Sequence, residues 1–371
     1  MIGRAEDVSR LVSSIAAGQN LRILAPRRTG KTTVCDAALN GLREGGWYTA
    51  KVDLMQPSGA AGFAQTLTRA LLANRPQLKQ ALAQVRDTWS RLSDRLRAQA
   101  TVDLGDGVRI AFEPGWSSRD DPAVALAEAL DLPQRLAEKD GRPVVVFFDE
   151  FQELAAPAAP FGEPTRLQAQ MRATFQRANE VGLLFAGSRE HAMQQVFQPD
   201  APLGGYGGSY SLSPITAVEW EGGLAERFER ASVEAGEAVV GRLVELGDGH
   251  PRATMLVAAE AYATVREAGV ASLDASVVAQ AWNRARVHDV ERCRLMVERM
   301  RRLRLAKGSD LALSVARLVA SGEPPYSLDV HAEQVRRALD SLEDVGVVEQ
   351  VGRGSWRVPD PILRAHLLEP L

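Results

Sequence analysis

The sequence predicts an α/β protein: a parallel sheet covered by helices, then a helical segment, then a small C-terminal unit of helices and a hairpin. Three observations carry this. Between residues 21 and 53 a short apolar strand, a glycine-containing loop, a helix and a second strand follow one another, the order of parallel strands joined by a crossover. Val144-Val145-Val146-Phe147-Phe148 is a run of five apolar residues, which reads as a strand buried on both faces. After Ser213-Pro214 the apolar residues recur at helical spacing.

Taken in order, Val8, Leu11, Val12 and Ile15 space out a helix over 6–17, closed by Gly18-Gln19-Asn20. A strand over Leu21 to Leu24 runs into a loop and then a helix to about Arg43, stopped by Gly45-Gly46. YTAKVDLM alternates as a strand, and a helix of Phe63 to Ala73 follows. Residues 76–120 break the pattern: a charged helix, roughly Leu78 to Gln99, precedes two strands flanking Gly105-Asp106-Gly107, read as a hairpin on an insertion. The α/β order resumes with a helix from Ala123 to Lys139, the strand ending at Asp149-Glu150, a helix from Thr165 to Asn179, the strand GLLFAG and a glycine-rich stretch at 203–209.

The later helices are predicted over 219–235, 237–246 and 253–268, followed by one long helix from about Ala275 to Leu305. The C-terminal part reads as a helix over 310–320, a second over 330–345, and two strands around Gly352-Arg353-Gly354. Two helices followed by such a wing form the winged helix-turn-helix pattern.

The loop after the first strand reads Ala25-Pro26-Arg27-Arg28-Thr29-Gly30-Lys31-Thr32-Thr33. It matches the phosphate-binding P-loop G-x-x-x-x-G-K-[ST] except that Ala25 replaces the first glycine. In such a loop, successive backbone N–H groups and a helix start face a phosphate, the lysine reaches the β- and γ-phosphates, and the hydroxyl binds Mg2+. Those roles fall to the amides of Arg27 to Thr32, to Lys31 and to Thr32. Ala25 is tolerable if its position needs no positive φ.

Asp149 and Glu150 follow a fully apolar strand, so they lie at its carboxyl end, where open α/β sheets bind ligands. Asp149 is the candidate to hold Mg2+ through water, and Glu150 to orient and deprotonate an attacking water. Alone, such a pair is more often a helix N-cap and first-turn acid; with the P-loop upstream, catalysis is the better reading. Ser188, at the tip of GLLFAG, is the candidate γ-phosphate sensor, with a plain helix N-cap as the competing reading.

With these residues placed, the chain resembles AAA+/STAND-type P-loop ATPases, in particular the archaeal-type family related to origin-recognition initiators. The resemblance rests on Ile2-Gly3-Arg4 with Glu6, A-P-R-R-T-G-K-T at 25–32, F-F-D-E-F-Q-E-L at 147–154, G-S-R at 187–189, L-S-P-I at 212–215, G-H-P-R at 249–252 and D-P-I-L-R at 360–364. It implies an ATP/ADP and Mg2+ site in which Ile2 and Gly3 pack near the adenine, with Arg4 beside them. It also implies a helical lid that closes over the nucleotide with Pro251 or Arg252 in the sensor-2 region. The expected domains are then an ATPase domain at 1–212, a lid at 213–275 and a winged-helix domain at 276–371. One departure bears on activity: where the family has Y-G-R, this chain has Tyr206-Gly207-Gly208. An arginine finger is missing there, Arg172, Arg177 and Arg189 are the candidates to substitute, and slow switching is expected rather than fast ring-activated hydrolysis.

In the winged-helix reading, the second helix carries Arg336 and Arg337 and the wing carries Arg353 and Arg357, able to face DNA phosphates or a protein partner. Acidic neighbours such as Glu333 and Asp340 weaken the DNA reading. Three functions are therefore carried forward: an ATP-driven switch, a DNA-binding ATPase of replication, recombination or mobile elements, and a nucleotide-stabilised scaffold without turnover. Composition agrees with a globular protein. Of 371 residues, 45% are hydrophobic and 25% charged, and the net charge of −3 gives no global pull toward nucleic acid or anionic membrane. Two distant cysteines, Cys35 and Cys293, offer no zinc spacing or disulfide framework. The start MIGRAEDVSR has charges where a secretory leader has an apolar run, so a cytoplasmic location is expected.

Overall fold

The computed structural model describes residues 1–25, 29–55, 59–73, 100–103, 109–112, 122–155, 164–303 and 310–369. The helix expected near 78–99, the Gly105-Asp106-Gly107 turn and the site residues Pro26, Arg27 and Arg28 lie outside these. The chain divides into two compact units. A sheet unit contains 7–25 and 32–211; a helical unit contains 1–6, 26–31 and 212–371.

In the sheet unit the elements run α1 (Ala5–Ala16), β1 (Leu21–Leu24), α2 (Lys31–Glu44), β2 (Tyr48–Asp53), α3 (Gly59–Leu72), β3 (Ala100–Asp103), β4 (Arg109–Phe112), α4 (Pro122–Asp140), β5 (Val144–Asp149), α5 (Pro164–Phe175), β6 (Val181–Gly187), α6 (Glu190–Val196) and β7 (Gly208–Ser211). Five strands form one parallel sheet in the order β2-β5-β6-β1-β7, while β3 and β4 pair antiparallel as the predicted hairpin. Strand β6 is thus inserted between β1 and β5. Every residue of β5 is buried, as its apolar run requires. Phe148 packs its ring against those of Phe63, Phe151, Phe175 and Phe185, with centroids 5.7 to 6.1 Å away.

The register sets the carboxyl ends of four strands at one edge. Leu24 lies opposite Gly187, Phe148 opposite Phe185, and Asp53 opposite Asp149. Strand β7 was not legible in the sequence. Its four residues GSYS are largely exposed and lack an apolar run; its place comes from pairing with β1, Leu21 opposite Gly208. Gly207, with φ +78, brings the chain so close to Asn20 that a Cβ would lie 3.3 Å from that carbonyl oxygen. Gly208, at the family's arginine position, is therefore the first residue of an edge strand.

The helical unit contains α7 (Ala217–Arg230), β8 (Glu234–Ala235), α8 (Glu237–Gly247), α9 (Pro251–Ala268), β9 (Ser272–Leu273), α10 (Ala275–His288), α11 (Val290–Arg301), α12 (Leu311–Ser321), α13 (Ala332–Asp344), β10 (Glu349–Gly352), β11 (Ser355–Arg357) and α14 (Pro361–Leu368). One continuous apolar cluster joins these helices, from Trp220 and Leu224 through Val257 and Ala281 to Leu339 and Leu363. β10 and β11 pair antiparallel around Gly354, whose φ is +76.

The expected long helix over 275–305 is instead two helices broken at Asp289, where φ is −97° and ψ 3°. Asp is a weak helix former, and its side chain here, 2% exposed, takes bonds from Arg252 and Arg292. The helix α14 extends beyond the D-P-I-L-R motif that begins it. No helix among the described residues is long and apolar enough to cross a membrane.

Candidate functional site

In the sheet unit, Thr32 in the first turn of α2 donates its Oγ1 hydrogen bond to Asp149 Oδ2 at 3.1 Å. Residues 117 positions apart thus place a hydroxyl and a carboxylate together at the carboxyl edge of the sheet. Asp149 is 8% exposed. Burial pushes its carboxyl above the ordinary range, the negative Glu150 beside it adds to that, and the Thr32 hydrogen bond and Lys51 oppose it. Two oxygens around an under-compensated negative charge fit a hard divalent cation. Among the described residues no group of three or more His, Cys, Asp or Glu could cage a metal.

The backbone turns at Glu150, which has φ +53, a left-handed conformation uncommon for a residue with a side chain. Its N–H bonds Asp149 Oδ1 at 3.1 Å. Its Oε2 accepts from Ser188 Oγ at 2.7 Å and from Gln152 Nε2. The sensor candidate and the base candidate are therefore in direct contact. Gln152 carried no role in the sequence reading; the one signal was its place two residues after Glu150 in F-F-D-E-F-Q-E-L.

In the helical unit, Gly30 has φ +90, which opens the backbone as a phosphate cradle requires, and Lys31 is buried at 6% exposure. The non-glycine residues with positive φ among those described are Glu150, Ser232 and Asp248. Ala25, 4% exposed, needs no glycine. Arg4 is 4% exposed and donates to the carbonyls of Ser213 at 2.7 Å and Thr29 at 3.1 Å. This arginine ties the chain start to the loop residue before Gly30 and to the L-S-P-I motif. Gly3, with φ +58, leaves room for Ile215, and Gly223 leaves room for Ile2.

The G-H-P-R motif is a helix start. Gly249 has φ +63, its carbonyl accepts from the Trp220 indole at 3.2 Å, His250 Nδ1 accepts from Ala253 N at 3.2 Å, and Pro251 opens α9. Arg252 is engaged bidentately by Asp289, at 2.7 and 2.5 Å. Arg292 links Asp289 to Asp360 at 2.8 Å, and Asp360 caps α14 by accepting from Ile362 N and Leu363 N. Arg364 pairs with Asp248 at 3.0 Å. The two motifs are thus joined by an ionic chain. Of the arginine-finger candidates, Arg172 donates to the carbonyls of Pro202 and Gly204 at 2.8 and 2.9 Å, Arg189 pairs with Glu153 at 2.6 Å, and Arg177 is exposed after α5.

No protein-family model and no curated protein sequence matches the chain. Solved structures do. A Walker-type ATPase of Pyrococcus abyssi is 17% identical, with a TM-score of 0.69 over 99% of this chain and 96% of that one. The ORC2 protein of Aeropyrum pernix, solved in ADPNP–ADP complexes, is 15% identical, with a TM-score of 0.59 over 98% of this chain and 92% of that one. At such identities the likeness is one of fold. The inserted strand β6, the Thr32–Asp149 pair and these neighbours agree: the chain has the P-loop NTPase fold, in the form found in a Walker-type ATPase and an origin-recognition protein.

Proposed function

We propose that this protein binds ATP or ADP with Mg2+ and hydrolyses ATP slowly, as an AAA+/STAND-like switch whose nucleotide state governs the lid at 213–275 and the winged-helix domain at 276–371. The observation that carries the reading is the meeting of Thr32 and Asp149 at 3.1 Å, a buried carboxylate and the hydroxyl of the residue that follows Gly30-Lys31 in the sequence. In this reading the amides of Arg27 to Thr32 hold the phosphates, Lys31 neutralises the β- and γ-phosphates, and Thr32 and Asp149 hold the metal. Bound there, Mg2+ supplies charge stabilisation to the phosphoryl oxygens. Glu150 takes a proton from water as the water oxygen bonds the γ-phosphorus and the bond to the β–γ bridging oxygen breaks. Ser188 contacts the γ-phosphate, Ile2 and Gly3 line the base with Arg4 behind them, and Pro251 with Arg252 form the sensor-2 region.

Slow turnover is supported by the commitment of Arg172 and Arg189 to partners within the chain. The second reading, DNA contact through α13 and the β10–β11 hairpin, draws on exposed Arg336 and Arg353. It is weakened because Arg337 pairs with Glu333 and Arg357 with Glu349. Calorimetric ATP titration and phosphate-release assays, with and without duplex DNA, test both. Lys31→Ala is expected to lose ATP affinity by at least about tenfold, and Glu150→Gln to keep affinity while losing about 100-fold in turnover. Unchanged nucleotide affinity in Lys31→Ala overturns the proposal; strong stimulation by DNA moves the second reading to the front.

A further inference from the structure

We infer that Gln152 is a positioning residue for the Glu150 carboxylate, an inference that rests on the reading of Glu150 as the group that receives the proton of water. Gln152 lies in the short 3-10 turn Phe151–Ala155 directly after β5 and is 0% exposed. Its Nε2 donates to Glu150 Oε2, the oxygen that also accepts from Ser188 Oγ at 2.7 Å. Its own Oε1 is buried without a hydrogen-bond partner among the described residues. A buried amide oxygen in that condition lowers stability, and an apolar side chain of similar length would fill the same space without that penalty. What the amide adds is the bond to Glu150.

The slot that holds the amide is made by an absent side chain. A Cβ at Gly187 would lie 2.3 Å from Gln152 Oε1 and 2.4 Å from Met193 Cγ, so the last residue of β6 and the helix α6 wall the amide in. Gln152 therefore reaches Glu150 from a fixed position. Glu150 needs such a hold, because its backbone, at φ +53, sends the side chain off along a direction that ordinary strand geometry does not set. Two donors on one oxygen fix the rotation of the carboxylate, and a general base acts only from the right distance and angle.

The test uses the full chain carrying Gln152→Met, and independently Gly187→Ala, which drives a methyl into the amide without removing a polar group. Both variants are expected to bind Mg2+-ATP within about twofold of wild type and to lose about 10- to 100-fold in kcat at unchanged KM. A readout without nucleotide accompanies this: a thermal-unfolding cycle of Gln152→Met, Glu150→Ala and the double variant. The double variant is expected to shift Tm by less than the sum of the two single shifts, since each removes the same contact. Wild-type kcat in both variants, or additive Tm shifts, overturns the inference. Glu150→Gln separates the failures: if it turns over at the wild-type rate, the reading of Glu150 as base falls, while the unfolding cycle still decides whether Gln152 and Glu150 are coupled. If Gln152→Met yields no folded protein, Gly187→Ala decides by the kcat and KM criterion.

Discussion

Replacing Asp289 by alanine removes the centre of the ionic chain that joins α9, α11 and α14. The Asp289 side chain is 2% exposed and accepts from both terminal nitrogens of Arg252, at 2.7 and 2.5 Å, and from Arg292 Nε at 2.6 Å. Deleting one partner of a buried ion pair costs about 3–5 kcal/mol. The lower end applies, because Arg292 keeps Asp360 at 2.8 Å and Arg252, 37% exposed, regains water. At about 2.1 cal/mol/K of unfolding entropy per residue, a loss of about 3 kcal/mol lowers Tm by about 8 °C if the roughly 170 residues of the helical unit unfold alone. If the 371-residue chain unfolds as one, the drop is about 4 °C. Burial alone would raise the Asp289 carboxyl, but the hydrogen bonds from Arg252 and Arg292 outweigh it and hold it below the ordinary value of 3.8. A depressed folded value means that the stabilisation is complete above the unfolded pKa and fades as pH falls through the folded one. Calorimetric scans should therefore show a gap between wild type and Asp289→Ala that is full at pH 7 and shrinks below about pH 4. A Tm change under about 2 °C at pH 7, or a gap that does not narrow in acid, refutes the reasoning.

Asp149 has the opposite linkage: its carboxyl is raised by burial and by Glu150, so the native state loses stability as pH rises through that window and the deficit persists at neutral pH. Asp149→Asn is expected to raise the Tm of the nucleotide-free protein by about 2 °C while costing Mg2+-dependent ATP affinity; a lowered Tm in differential scanning contradicts this. Gly3→Ala places a methyl 2.6 Å from Ile215 Cγ2 at φ +58 and should cost about 1–3 kcal/mol in urea unfolding. Phe148→Ala empties the centre of the aromatic cluster under Asp149 and should cost about 3–5 kcal/mol by the same measurement, whereas a cost below about 1 kcal/mol would mean that the cluster collapses freely.

Legibility in the sequence followed the strength of the local signal. The run Val144 to Phe148 could only be a doubly covered strand, and its end placed Asp149 and Glu150 at the ligand edge. Strand β7 had no such run: three of its four residues are exposed, and it lies against β1 where Gly207, at φ +78, lets the chain approach Asn20. The helix over 275–305 followed unbroken apolar spacing, yet Asp289 interrupts it, because two arginines distant in sequence from each other draw that carboxylate inward. The motifs G-H-P-R and D-P-I-L-R were visible as strings, but their physical content is a pair of helix caps joined through Arg292. Arg252, expected in the sensor-2 region, holds Asp289 through both terminal nitrogens.

The residues of the loop and of β5 carried the class of chemistry in their own order, since a glycine before a lysine and a helix, and acids after a buried strand, are local requirements of phosphate and metal binding. Ala25 was the open point in that loop, and backbone conformation closes it: the residue is buried with an ordinary φ, so a methyl group is harmless there. Only the packed chain decides which side chains converge. Thr32 meets Asp149 because β1 and β5 end at the same edge with β6 between them. Ser188 and Gln152 meet on one oxygen of Glu150 because Gly187 yields the space. Contacts of that range depend on strand register and on the volume left by distant residues, neither of which is written in any local run of the sequence.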